Sequence, residues 1–150
     1  MSNPMKVILL VEDDPNDVTL ALHALKHSRV MNPIVVVRDG IEALDFLFAR
    51  GAYSERAGAS SPMVILDLKL PRLDGLSVLK VIRTDARLQQ LPVLILTSSK
   101  GEEDLISGHS LGVTRYLRKP VVLAKFVEAV KALGTYWLMI DESSQEGIAP

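Results

Sequence analysis

The sequence predicts an α/β domain built on a five-stranded parallel sheet with helices on both faces, and three observations carry that prediction. Val7–Val11, Met63–Leu66 and Val93–Leu96 are apolar throughout, without the polar alternation of a half-exposed strand. That is the habit of strands covered on both faces. Each run stops at polar groups: Glu12-Asp13-Asp14, Asp67, and Thr97-Ser98-Ser99. Between the strand candidates lie segments with apolar residues at helical spacing, and such alternation becomes a parallel sheet through right-handed crossovers. A chain of 150 residues is near the commonest size of one domain and long enough for a real core.

The elements follow in order. After the strand Val7–Val11, Asp14-Pro15 is a helix start, an Asx cap before a proline at the first helical position, and Val18, Ala21, Leu22 and Leu25 recur at helical spacing. Ile34–Val37 is a short β-branched strand, and Asp39-Gly40 leads into a second helix through Ile41, Leu44, Phe46, Leu47 and Phe48. Residues 50–62, with Gly51, Gly58 and Pro62, read as a polar surface loop. Met63–Leu66 brings Asp67 to a strand end ahead of a Pro71 turn and Asp74-Gly75. Leu76, Leu79, Val81, Ile82 and Leu88 then predict a third helix reaching Leu91-Pro92. Val93–Thr97 is the fourth strand. Glu102, Glu103 and Asp104 suit the positive end of the next helix, which Gly112 is expected to close. Thr114–Leu117 is the fifth strand, ending at Arg118-Lys119-Pro120, and a long amphipathic helix runs from Val121 to about Met139.

Composition excludes several classes. Lys plus Arg total 17 against 18 Asp plus Glu, a net charge of -1, so no global field steers the protein to nucleic acid or to an anionic membrane. The absence of cysteine excludes disulfides, thiolate metal sites and cysteine nucleophiles and agrees with a reducing cytoplasm, the expected location. The longest apolar runs, Val7–Val11 and Tyr136–Ile140, are five residues each, far below the roughly 18 that suggest a spanning helix. Acids interrupt the first run too early for a secretory signal.

All strands of a parallel sheet end on one side, so Glu12, Asp13, Asp67, Thr97 and Lys119 converge on one rim, where open α/β sheets bind ligands. Three carboxylates so close raise one another's pKa unless a cation joins them. Oxygen donors without His or Cys favour a hard ion, and a small carboxylate set that leaves room for water and a phosphoryl group fits Mg²⁺. His23 and His27, four apart on one helix, lack a third ligand and read as solvated; His109 reads as a surface residue, and Phe46 and Phe48 as packing residues.

On these residues the chain resembles the receiver domains of two-component response regulators, over about Lys6 to Leu133. The resemblance implies a flavodoxin-like sheet of order 2-1-3-4-5 with five helices in a single domain. It identifies Asp67 in Leu66-Asp67-Leu68-Lys69-Leu70-Pro71 with the phosphorylated aspartate. Asp13 matches a direct metal ligand, Glu12 a partner through water, and Lys69 the residue whose backbone carbonyl binds the metal. Thr97 matches the switch hydroxyl, Tyr116 the switch aromatic, Lys119 the phosphoryl-binding lysine and Pro120 a proline usually held in cis. The implied activity is acceptance of a phosphoryl group from a histidine kinase on Asp67, catalysed by the domain itself, as is its later removal. The implied extents are a receiver domain over residues 5–140 with an extended last helix, and a flexible tail over 141–150. Only 30 residues follow Pro120, too few for a DNA-binding output domain, so a stand-alone regulator is expected.

Two alternatives share the topology. A phosphohydrolase using an aspartyl phosphate generally carries a second Asp two residues after the nucleophile, where this chain has Lys69. A flavin-binding module needs a phosphate cradle after the first strand, where this chain is acidic. Within the receivers, the loop before Met63 and the ending Ala132–Leu138 resemble the small single-domain regulators partnered with bacterial phytochrome kinases. Finally, Leu123, Phe126, Val130, Leu133 and Trp137 form one apolar stripe of the last helix, and Val122, Ala129, Ala132, Tyr136 and Met139 a second. A helix apolar on two faces predicts a homodimer through that helix and residues 136–140.

Overall fold

In the computed structural model the described residues are 7–59, 61–108, 111, 112 and 115–134. Five strands, β1 (Ile8–Val11), β2 (Ile34–Val37), β3 (Met63–Asp67), β4 (Val93–Thr97) and β5 (Arg115–Arg118), alternate with five helices. These are α1 (Pro15–His27), α2 (Gly40–Leu47), α3 (Gly75–Thr84), α4 (Lys100–Gly108) and α5 (Leu123–Gly134). The strands form one parallel sheet in the order β2-β1-β3-β4-β5.

Burial explains why the central strands read so clearly. Every residue of β1, β3 and β4 is buried, because successive side chains enter opposite layers. Ile8, Leu10, Met63, Ile65, Leu94 and Leu96 pack with α1 and α5 through Val18, Leu25, Phe126 and Val130. Leu9, Val11, Val64, Leu66 and Ile95 pack on the other face with Phe46, Leu79, Ile82 and Ile106 of α2, α3 and α4. The edge strands β2 and β5 are only partly buried. Helix starts follow the Asx signals: Asp14 accepts from the Asn16 and Asp17 amides, Asp39 from Glu42 and Asp74 from Ser77.

Four expectations are corrected. The third helix stops at Thr84, not near Leu91: Asp85 turns extended, its carboxylate accepts from Arg87, and Leu88 lies buried in the following turn. That turn is held by Arg83, whose guanidinium donates to the carbonyls of Gln89, Leu91, Leu111 and Gly112. Second, α4 ends at Gly108, and Gly112 lies beyond it with a left-handed φ of 63°. Third, the polar loop contains a 3₁₀ turn, Gly51–Arg56. Tyr53 packs edge-on against Phe46 at 5.1 Å and donates to Glu42 at 2.7 Å; burial, reinforced by that hydrogen bond, pushes its hydroxyl up to about 12. The Arg56 guanidinium lies 3.6 Å over the Phe46 ring. Fourth, Ala129 belongs with the core stripe of α5, fully buried beside Phe126 and Val130; Val122 and Ala132 are exposed. Trp137 and residues 136–140 and 141–150 lie outside the described residues. Among the described residues, no helix is long and apolar enough to cross a membrane.

One glycine bears on the site. Gly75 opens α3 with its amide on the Leu68 carbonyl, 2.9 Å away, and a Cβ there would overlap the Asp67 carbonyl and the Leu68 Cα. Both are backbone atoms, so relief requires moving the strand end that carries Asp67. Gly75→Ala is expected to destabilise the fold by about 3 kcal/mol. Urea unfolding checks it, and a change below about 0.5 kcal/mol contradicts the close packing.

Candidate acidic site at the carboxyl ends of the strands

Three strand ends and one helix start build the centre. β1 leaves Glu12 fully buried and Asp13 exposed, and β3 ends on Asp67, which is 2 % exposed. One carboxylate oxygen from each of Glu12, Asp13 and Asp67 lies within 4.8 Å of the others. Past β5, the Lys119 ammonium reaches the same carboxylates. It donates to Asp67 Oδ2 at 2.6 Å, Asp17 Oδ2 at 2.8 Å and Glu12 Oε1 at 3.0 Å. Its backbone is fixed by an N–H donated to the Thr97 carbonyl, 2.6 Å away, and the Lys119–Pro120 peptide is cis.

Burial and charge shift two of these groups. Burial, reinforced by a hydrogen bond and by repulsion from Asp67, pushes Glu12 from 4.5 up to about 8, although Lys119 and the Asp14 amide pull it down. Burial alone would lower Lys119, but its three carboxylate partners overcome that and hold it above the ordinary lysine range. The cation that three carboxylates require is therefore supplied in part by the chain itself. Asp67 Oδ1 accepts from the Lys69 amide at 3.0 Å, which fixes the turn, while the Lys69 side chain is exposed. All polar donors of the triad are carboxylate oxygens, a set that fits a hard divalent cation with open positions better than a soft metal.

The remaining residues named from the sequence sit one strand further along. Thr97 is fully buried, and its hydroxyl donates to Glu103 Oε2 at 3.1 Å. The same oxygen accepts from Arg118 Nε at 3.2 Å and Nη2 at 3.0 Å. Tyr116 is half-buried in register with Ile95 and packs on the layer that holds α2, α3 and α4. Asp17, Glu103 and Arg118 were not singled out from the sequence. For Asp17 a signal exists, since it stands three residues after the Asp14 cap and so in the helical turn that overlooks the rim. His23 and His27 lie on α1, ring centroids 6.3 Å apart, in a groove with Lys26, Arg29 and Lys131 and away from the acids.

The family model described as response regulator receiver domain matches residues 8–131. Response regulator Rcp1 of Synechocystis sp. is 38% identical over 137 residues, 91% of this chain and 92% of that protein. Among solved structures, the bacteriophytochrome response regulator RtBRR is 43% identical with a TM-score of 0.83, covering 92% of this chain and 83% of that one. The bacteriophytochrome response regulator AtBRR is 44% identical with a TM-score of 0.81, covering 93% and 100%. The Mn(2+)-bound form of Rcp1 is 37% identical with a TM-score of 0.72, covering 89% and 94%.

Proposed function

Because this chain belongs to the response regulator receiver domain family, we propose that Asp67 accepts a phosphoryl group from a histidine kinase of the bacterial phytochrome class. The reading rests most on one observation, the Lys119 ammonium 2.6 Å from Asp67 Oδ2 beside the Glu12, Asp13 and Asp67 cluster. Similarity to two bacteriophytochrome response regulators and to Rcp1 supports the choice of kinase. The oxygen-only donor set, with the Mn(2+)-bound form of Rcp1 as a precedent, supports a divalent ion, read here as Mg²⁺. Asp13 and Asp67 would hold it directly, Glu12 would do so through water, and the Lys69 carbonyl would complete the protein's share. When bound, the ion neutralises charge on the phosphoryl oxygens.

The chain's own residues then do the following. A carboxylate oxygen of Asp67 attacks the phosphorus of a phosphohistidine, and a P–O bond forms as the P–N bond breaks. The released electron pair stays on the imidazole nitrogen. Lys119, already poised by Asp17 and Glu12, follows the new charge and donates to a phosphoryl oxygen. Thr97 donates to another, and Tyr116 rotates into the space that the threonine leaves, changing the surface formed by β4, α4 and β5. The acyl phosphate is later hydrolysed in the same site. The rest of the reading is a cytoplasmic protein that acts as a homodimer through its last helix and residues 136–140.

Mixed with a phosphorylated phytochrome kinase, the protein is expected to gain label within minutes only when a divalent ion is present. Asp13→Ala should lose most of that transfer, by about 10²-fold. Transfer at an equal rate in EDTA, or from unrelated histidine kinases alone, contradicts the reading.

A further inference from the structure

A threonine hydroxyl has one proton to donate, and here Thr97 gives it to Glu103 rather than to the Asp67 rim. A phosphoryl group offers only acceptor oxygens, so it competes with the Glu103 carboxylate for that single donor. Glu103 is not a casual partner. It lies in the first turn of α4, three-quarters covered, and the oxygen that accepts from Thr97 also takes both donors of the Arg118 guanidinium. Arg118 precedes Lys119 directly, so one carboxylate joins the end of β4, the start of α4 and the end of β5. The amide of Ser98 is in turn bound by Glu102, and that of Glu102 by the Ser99 hydroxyl, which fix the β4–α4 turn around it.

We infer that Glu103 is a positioning residue for phosphorylation: with Arg118 it holds the Thr97 hydroxyl in the resting state, and the phosphoryl group must take the hydroxyl from it. The inference rests on the reading of Asp67 as the phosphoacceptor. Its consequence is twofold. Glu103 slows phosphorylation by withholding one donor. It also transmits the event, because a Glu103 carboxylate that has lost Thr97 remains bound to Arg118 alone, so its tie from α4 then runs to the end of β5 and no longer to Thr97.

The test is a double-mutant cycle read by the initial rate of labelling with phosphoramidate and Mg²⁺. Glu103→Ala is expected to be labelled about tenfold faster than the parent, the factor that one net hydrogen bond to a charged group represents. Glu103→Gln, which keeps a neutral acceptor, should fall between the two. In the Thr97→Ala background the same Glu103→Ala change should have no effect, since a carboxylate acting through Thr97 has nothing left to hold. A purely structural role for Glu103 would alter both backgrounds alike. A rate no faster than the parent's, or the same gain with alanine at position 97, overturns the inference. Failure of the underlying reading looks different: undiminished labelling of Asp67→Asn removes the phosphoacceptor, and the inference falls with it.

Discussion

Lys119→Ala is expected to destabilise the metal-free protein by about 3 kcal/mol at pH 8, the low end of the cost of breaking a buried ion pair. The ammonium has three carboxylate partners within 3.0 Å, and two of them, Glu12 and Asp67, are almost wholly buried. The low end applies because Asp17 is partly exposed and admits water to that side. The loss should depend on pH through Glu12. Its folded-state pKa of about 8 stands above its ordinary 4.5. Its contribution is therefore fully present below pH 4.5 and is lost as pH rises through 8, because the folded chain holds a proton that the unfolded chain has released. Removing Lys119 takes away a pull that lowers Glu12, so the variant's Glu12 titrates higher still. The gap between parent and variant should be smaller at pH 5 than above pH 8, because only the Glu12 share of it titrates in that range while the Asp17 and Asp67 pairs are broken at both. Urea unfolding in EDTA at several pH values measures it, and a gap that does not change with pH contradicts the charge arrangement. Labelling by phosphodonor should fall by about 10²-fold or more, as when a preorganised donor to a developing anion is removed.

How much of this was legible in the sequence follows from where the physics is local. β1, β3 and β4 were legible because both faces are buried, so every position is apolar and the first polar residue marks the rim. The same property exposed Glu12, Asp13, Asp67 and Thr97 as strand-end groups. The end of α3 was not legible. Leu88 is buried like a helix residue but reaches the core from a turn held by Asp85 and Arg83, and periodicity cannot separate the two. The 3₁₀ turn at Gly51–Arg56 was hidden for a related reason. Its support is one ring, Phe46, gripped by Tyr53 and Arg56 from a stretch whose Gly, Ser and charged residues read as an exposed loop. Asp17 and Glu103 escaped because an acid in the first turn of a helix already has an explanation in the helix dipole. Only the three-dimensional positions of Lys119 and Thr97 give them a second task. In α5, spacing counts apolar residues without saying which face the sheet takes, and the sheet took Ala129.

The largest effect should come from a single oxygen-to-nitrogen exchange. Asp67→Asn keeps the size of the side chain and its acceptor toward the Lys69 amide, but it removes the carboxylate that is both nucleophile and partner of Lys119. A neutral amide is no nucleophile toward phosphorus at neutral pH. The fold should persist, since the exchange also relieves the repulsion with Glu12 that lifts its pKa. The direct measurement is the intact mass of parent and Asp67→Asn after treatment with phosphoramidate and Mg²⁺, with the label tested for the lability of an acyl phosphate to hydroxylamine. The parent should gain the mass of one phosphoryl group, lost in hydroxylamine, and Asp67→Asn should gain none; a variant labelled as fully as the parent would contradict the assignment of Asp67.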